Sequence, residues 1–102
     1  MRIDFARTGG FAGMRLTASV DTQKLPEDQA SNLAELIRDA RFFDLPERIV
    51  PDSPRPDRFE YQLTVAAPDK THSVVVQEPA APESLRPLLR YLTTLAMVSK
   101  RP

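Results

Sequence analysis

The chain has 102 residues with ordinary apolar and charged content, which is typical of one soluble globular domain spanning residues 1–102. Fourteen basic residues balance fourteen acidic ones, so the net charge gives no argument for nucleic acid or an anionic membrane as a partner. The sequence has no cysteine, no apolar run of about 20 residues and no signal-peptide pattern. We therefore expect a cytoplasmic protein.

Two alternating runs open the chain on either side of a glycine-rich segment. Residues 2–7 and 14–21 alternate apolar and polar side chains, which predicts the two half-buried strands of a hairpin. Between them, all three glycines of the chain fall within residues 9–13, around Phe11. Glycine adopts positive φ without steric cost, so this segment has unusual backbone freedom. Leaving Phe11 in water forgoes about 1.5–3 kcal/mol of burial free energy. We therefore expect Phe11 to pack either against its own domain or against a binding partner.

A helix is predicted next, over residues 26–40, because Pro26 suits a first turn and apolar residues recur at helical spacing. Phe42 and Phe43 follow the helix and are expected to close the end of the core. Residues 46–56 contain four prolines, so neither a helix nor a central strand can run through them. Because prolines restrict the unfolded chain, we predict a stiff loop rather than a flexible linker.

The second half of the chain repeats the order of the first. Residues 58–66 and 71–78 are predicted strands joined by a turn at 67–70, and prolines break the chain at 79–82. Leucines at helical spacing then predict a second helix that begins at Pro82 or Ser84 and ends near residue 99. The order ββαββα predicts an α+β domain with a four-stranded antiparallel sheet and two helices packed on one face.

The lengths of these elements place the irregular segments. Each predicted strand or helix is long enough to cross the domain once. If the first strand runs up to the glycine-rich segment, the second strand descends and the first helix climbs back. The proline-rich segment then lies at the same end, and the break at 79–82 returns there as well. Three irregular segments at one pole are typical of a binding surface.

The sequence contains no recognisable set of catalytic residues. His72 is the only histidine, so we interpret it as a surface or half-buried strand residue and expect no metal site of the chain's own. Asp52, Asp57 and Glu60 are conceivable as an acid–base set. However, the two aspartates lie near prolines, as turn residues often do, and Glu60 should face water. We expect neither enzymatic activity nor a cofactor.

Protein binding fits the pole better. Phe11, Ala12 and Met14 supply an apolar tip, and the proline-rich segment brings aspartates and arginines beside it. Aromatic and arginine side chains are the usual anchors of protein interfaces. The residues by themselves leave open whether Phe11 is buried in a partner or against its own domain.

The sequence resembles the emfourin family over nearly its whole length. The resemblance is carried by an ordered set of short segments at matching spacing: residues 3–13 (IDFARTGGFAG), 43–46 (FDLP), 56–61 (PDRFxY) and 85–89 (LRPLL). Emfourin-like proteins are bacterial protein inhibitors of protealysin, a thermolysin-like zinc metalloprotease. The resemblance therefore implies an inhibitor whose partner is a protease of that type. We expect the chain to be a monomer.

The resemblance also implies roles for residues at the pole. In emfourin-like proteins, apolar residues of one loop fill the protease's hydrophobic specificity pocket while an aspartate of the adjacent loop reaches its zinc. The implied zinc ligand here is Asp57 or Asp52, and the sequence does not decide between them. The alternative is a non-inhibitory interaction module that uses the same pole. The other implied contact residues are Gly9, Gly10, Phe11, Ala12, Gly13, Met14 and Arg58.

Overall fold

The structure, a computed structural model, describes residues 1–9, 15–53 and 58–99. The elements agree with the predicted ones to within a few residues at each end, with one additional strand. In chain order they are β1 (Arg2–Gly9), β2 (Leu16–Asp21), α1 (Glu27–Asp39), β3 (Arg48–Ile49), β4 (Phe59–Ala66), β5 (Thr71–Gln77) and α2 (Arg86–Ser99).

The sheet has five strands in the order β2-β1-β4-β5-β3. Neighbouring strands are antiparallel except for β3, which runs parallel to β5. The α+β class is therefore confirmed, whereas the prediction of a four-stranded, purely antiparallel sheet is wrong. The sheet is mixed because the chain between α1 and β4 adds a short edge strand.

This added strand lies inside the segment that was predicted to be a loop. Arg48 pairs with Val75, and the N–H of Val75 donates to the carbonyl oxygen of Glu47 at 2.8 Å. Pro46 and Pro51 flank the strand, as is possible at a sheet edge, where a missing N–H donor disrupts no ladder. A strand of two residues is too short to produce an alternating pattern in the sequence.

One hydrophobic core lies between the sheet and both helices, as predicted. Apart from Ala6, the buried residues of β1, β4 and β5 face the same side and join those of α1 and α2 in a single cluster. Phe42 is buried and its ring packs edge-on against half-buried Phe43 at 5.7 Å, so these two phenylalanines close the core as expected. The largest fully buried side chains are Phe42, Ile3, Leu33, Leu63, Leu85, Leu88, Leu92, Val65, Val74 and Val76.

The path of α1 differs from the predicted climb across the domain. The chain before it is held where the N–H of Thr22 donates to the carbonyl oxygen of Met1 at 2.9 Å. After it, Phe42 packs against His72, near the start of β5. The chain segments before and after α1 therefore both lie at the end of the sheet where β1 and β5 begin. The strand β3, and not α1, carries the chain up to the other end.

The face of the sheet opposite the helices is polar. The guanidinium of Arg2 donates to Ser19 Oγ at 2.9 Å, and that hydroxyl donates to Asp4 Oδ1 at 2.6 Å. Thr64 and Ser73 share a hydroxyl–hydroxyl bond of 2.8 Å on the same face. Within the described residues, neither helix has the length and apolar character needed to cross a membrane.

Candidate partner-binding pole

The strand register brings the flanks of the predicted irregular segments together at one end of the sheet, which we call the loop pole. Here Gly9, the last residue of β1, pairs with Phe59, the first residue of β4. Glu60 pairs with Gln77 at the end of β5. Because β3 runs parallel to β5, the chain that leaves β3 towards Asp52 reaches the same end of the sheet. The flanks of the glycine-rich and proline-rich segments are therefore neighbours, as predicted.

Gly9 fixes how closely these two segments approach. Its φ is +96°, in the region that glycine adopts without strain. A Cβ built on Gly9 would lie 2.6 Å from the carbonyl oxygen of Arg58, far inside any normal contact. Only glycine therefore lets the end of β1 lie against the backbone that enters β4.

An aromatic and cationic layer supports the pole from the helix side of the sheet. The guanidinium carbon of Arg7 lies 4.1 Å from the centroid of the Phe59 ring, a cation–π distance. Below it, Phe5 and Tyr61 pack with their ring centroids 6.0 Å apart. The first residues of β4 are thus held by side chains of β1 as well as by the backbone ladder.

Polar contacts tie the start of β4 to the chain that follows β5. The guanidinium of Arg58 lies 3.7 Å from the Glu78 carboxylate, and Gln77 Nε2 donates to Glu60 Oε1 at 3.4 Å. Burial raises the pKa of the Tyr61 phenol above its usual value of 10.0, and the negative charge of Glu78 raises it further. Because Arg58 and Glu78 are partly exposed, their pairing orients the Arg58 side chain more than it stabilises the fold.

The predicted contact residues are only partly within the described structure. Gly9, Asp52 and Arg58 are described, and the last two are exposed at the loop pole. Asp52 is exposed, and none of the described side chains forms an ion pair with it. Five predicted contacts in the glycine-rich segment (Gly10, Phe11, Ala12, Gly13 and Met14), together with Asp57, lie outside the described residues.

Two features of the pole were absent from the predicted site. Val50, directly after β3, is 42% exposed although it is a large apolar residue. Its apolar character inside a proline-rich segment was visible in the sequence, but its exposure depends on the unpredicted strand that precedes it. Glu78 lies in a 3-10 turn, Glu78–Ala80, which follows β5 directly. No pattern in the local sequence around Glu78 predicts its ion pair with Arg58.

His72 lies too far from Glu60 for the two side chains to act together in catalysis. Glu60 is at the loop pole, whereas His72 pairs with Val65, five residues further along β4 and hence about 17 Å away. As expected, His72 is a half-buried strand residue, and its Nε2 donates to the carbonyl oxygen of Leu45 at 2.7 Å. The described residues contain no cluster of His, Asp and Glu that could hold a metal ion.

A groove between the two helices also lacks catalytic character. It has a volume of about 800 Å³, lies between α1 and α2, and contains Asp28 as its one described carboxylate. It is lined otherwise by neutral polar, apolar and arginine side chains, and it shares no residue with the loop pole. This groove therefore offers no acid–base pair among its described residues.

Comparison with known proteins identifies a matching family. The family model of emfourin matches residues 5–93. Among solved structures, the chain is similar to emfourin (M4in) from Serratia proteamaculans, an M4 family peptidase inhibitor, with 23% sequence identity and a TM-score of 0.44. That similarity covers 85% of this chain and 83% of the Serratia protein. A comparison with curated protein sequences finds no match.

Proposed function

The chain belongs to the emfourin family, and from this premise we propose that it inhibits a thermolysin-like zinc metalloprotease of the protealysin type. Family membership confirms the resemblance seen in the sequence and the expectation that the chain is not an enzyme. The inhibitor acts through its loop pole, which is the surface that the glycine-rich and proline-rich segments share.

The close approach of Gly9 to Arg58 is the observation that carries this proposal. It fixes one flank of the glycine-rich segment against one flank of the proline-rich segment. Two segments whose flanks are held together can reach into one cleft, because their starting points are already adjacent. Such a pair suits an active-site cleft with two adjacent subsites, the specificity pocket and the metal.

In the proposed complex the two segments have different tasks. Phe11, with Ala12 and Met14, fills the hydrophobic specificity pocket, where a buried aromatic anchor contributes most to affinity. A carboxylate from the proline-rich segment takes the open position on the protease's zinc, which otherwise holds the catalytic water. The exposure of Asp52 supports Asp52 for this task, and Asp57 remains the alternative. Exposed Val50 extends the apolar contact.

The test measures cleavage of a fluorogenic peptide by a thermolysin-like protease in the presence of purified variants. Truncation of Phe11 to alanine is expected to weaken inhibition about 30-fold, as for the loss of a central anchor. Of Asp52→Ala and Asp57→Ala, the one that removes the zinc ligand should weaken inhibition more than tenfold. A small zinc-chelating inhibitor of the protease should compete with the wild-type chain.

Matched controls separate this mechanism from general damage. Asp69→Ala removes an exposed carboxylate from the opposite end of the sheet, and Met97→Ala truncates an exposed apolar side chain on α2. Both should inhibit like the wild type. Undiminished inhibition by the combined Phe11, Asp52 and Asp57 alanine variant would refute the mechanism. Binding to the protease without inhibition would instead assign the pole to a non-inhibitory interaction module.

A further inference from the structure

The two edges of the sheet are protected very differently. The β3 edge has only two residues, and prolines flank it at Pro46 and Pro51. The β2 edge has six residues (LTASVD) without proline or lysine. Short strands, prolines and lysines are the usual devices that keep a sheet edge from pairing with another chain. The fold uses such devices on one edge and omits them on the other.

The backbone of β2 has free hydrogen-bonding groups on its outer side. The N–H of Thr22 donates to Met1, so the even-numbered residues of this run point their backbone groups towards β1. Backbone groups alternate between the two sides of a strand. The N–H and C=O groups of Thr17 and Ser19 therefore point away from β1, outward from the free edge of the sheet. None of the described segments pairs with this outer side. Both side chains are exposed.

We propose that a second copy of the chain pairs with this edge, strand to strand and antiparallel, about a twofold axis at Ala18. In such a pair the outward groups of one copy must meet the outward groups of the other. This condition excludes every register in which an odd-numbered residue lies opposite an even-numbered one. It allows the axis at Ala18 or a shift that centres it on Thr17 or Ser19.

Side-chain chemistry selects among the allowed registers. With the axis at Ala18, Arg15 of each copy lies opposite Asp21 of the other, so opposite charges meet at both ends of the interface. Between them Thr17 faces Ser19, and the core residues Leu16 and Val20 face each other across the new strand pair. Centring on Thr17 puts Arg15 opposite Ser19, and centring on Ser19 puts Asp21 opposite Thr17. Only the register centred on Ala18 pairs all these residues with complementary partners.

The arrangement joins two sheets into one and has a functional consequence. Because the two β2 strands are antiparallel, the loop poles of the two copies point in opposite directions. A twofold dimer therefore presents two separate partner-binding surfaces. It replaces the monomer that was expected from the sequence.

The first test follows molecular mass by analytical ultracentrifugation from about 1 µM to about 1 mM chain, a range that spans weak to moderate affinities. The wild-type mass should rise from 11.5 kDa towards twice that value. Thr17→Pro removes one outward N–H without removing a bond to β1, and proline is tolerated at such an edge position. This variant should stay at the monomer mass, whereas Thr17→Ala, which keeps the N–H, should dimerise like the wild type.

The second test checks the register and does not depend on the proline variant folding. Arg15→Asp and Asp21→Arg should each weaken self-association about tenfold, because each places like charges opposite one another. An equimolar mixture of the two variants should recover the dimer, since both charge pairs are restored between unlike copies. A wild-type mass that stays at 11.5 kDa, or a mixture that does not recover, would overturn the proposal. Loss of protease inhibition in Thr17→Pro with a monomeric wild type would assign the edge to the protease and would also overturn it.

Discussion

Replacing Gly9 by alanine tests whether a backbone contact, rather than side-chain chemistry, sets the geometry of the loop pole. The added methyl group meets two obstacles. Alanine is strained at the observed φ of +96°, at a cost of about 1–2 kcal/mol. Its Cβ would also lie 2.6 Å from the carbonyl oxygen of Arg58, which is backbone and cannot rotate away.

The loss of stability can be estimated from the part of the chain that must move. To accept the methyl group, the start of β4 must separate from the end of β1, which weakens the pairing of Gly9 with Phe59. One ladder hydrogen bond contributes about 1 kcal/mol, so strain and lost pairing together destabilise the fold by about 2–3 kcal/mol. For a domain of this size the unfolding midpoint should fall by about 8–24 °C.

Two assays separate the effects. Thermal unfolding by circular dichroism measures the loss of stability, and protease inhibition well below the midpoint measures the displacement of the pole in the folded protein. Inhibition should weaken at least tenfold, because a shift of about 1 Å between the two segments disturbs both proposed contacts. Gly9 itself need not touch the protease for this loss to occur.

Arg41 provides the matched control. It has a positive φ of 50° directly after the C-cap of α1 and lies outside the loop pole. Arg41→Gly relieves strain at that position and should raise the midpoint by about 4–8 °C without changing inhibition. An unfolding midpoint of Gly9→Ala within about 3 °C of the wild type, against an expected loss of at least about 8 °C, would refute the steric argument.

Two further predictions concern the core and the pole's tyrosine. Phe42→Ala removes a side chain that is 1% exposed and should cost about 3–5 kcal/mol in the free energy of unfolding, whereas truncation of half-exposed Met97 should cost under about 0.5 kcal/mol; denaturant titration measures both. Because the folded pKa of Tyr61 lies above 10.0, the stability that this phenol contributes is present below pH 10 and is lost as the pH rises through the folded pKa. In Tyr91→Phe, which leaves Tyr61 as the one tyrosine, phenolate absorbance should titrate later in the folded protein than in denaturant; identical curves would contradict the assigned burial.

The regular elements were predictable because their patterns are long. The alternation in β4 extends over eight residues, and its apolar members Tyr61, Leu63 and Val65 are the side chains that face the core. The leucines of α2 repeat over several turns and likewise identified the buried face of that helix. Long periodic patterns constrain which side chains are buried, whatever the surrounding tertiary structure.

The unpredicted features depend on contacts between distant parts of the chain. The strand β3 exists because Glu47 and Arg48 meet the free edge of β5, and two residues carry no pattern of their own. The loop pole was predicted correctly, although the predicted route through α1 was wrong. Glycine content indicated backbone freedom near Gly9, but the approach of the Arg58 carbonyl depends on the register between β1 and β4.

The register between β1 and β4 explains why substitution of Gly9 and substitution of a contact residue such as Phe11 should have different effects on stability and affinity. Gly9 is the last of eight paired positions between β1 and β4, so its separation from Arg58 is set before any partner binds. Disturbing it lowers both stability and affinity, because the partner must then impose a geometry that the fold no longer supplies. Truncation of Phe11 should lower affinity through faster dissociation while leaving the unfolding midpoint unchanged. Measuring both quantities for Gly9→Ala and Phe11→Ala therefore distinguishes an organised pole from a flexible, sticky one.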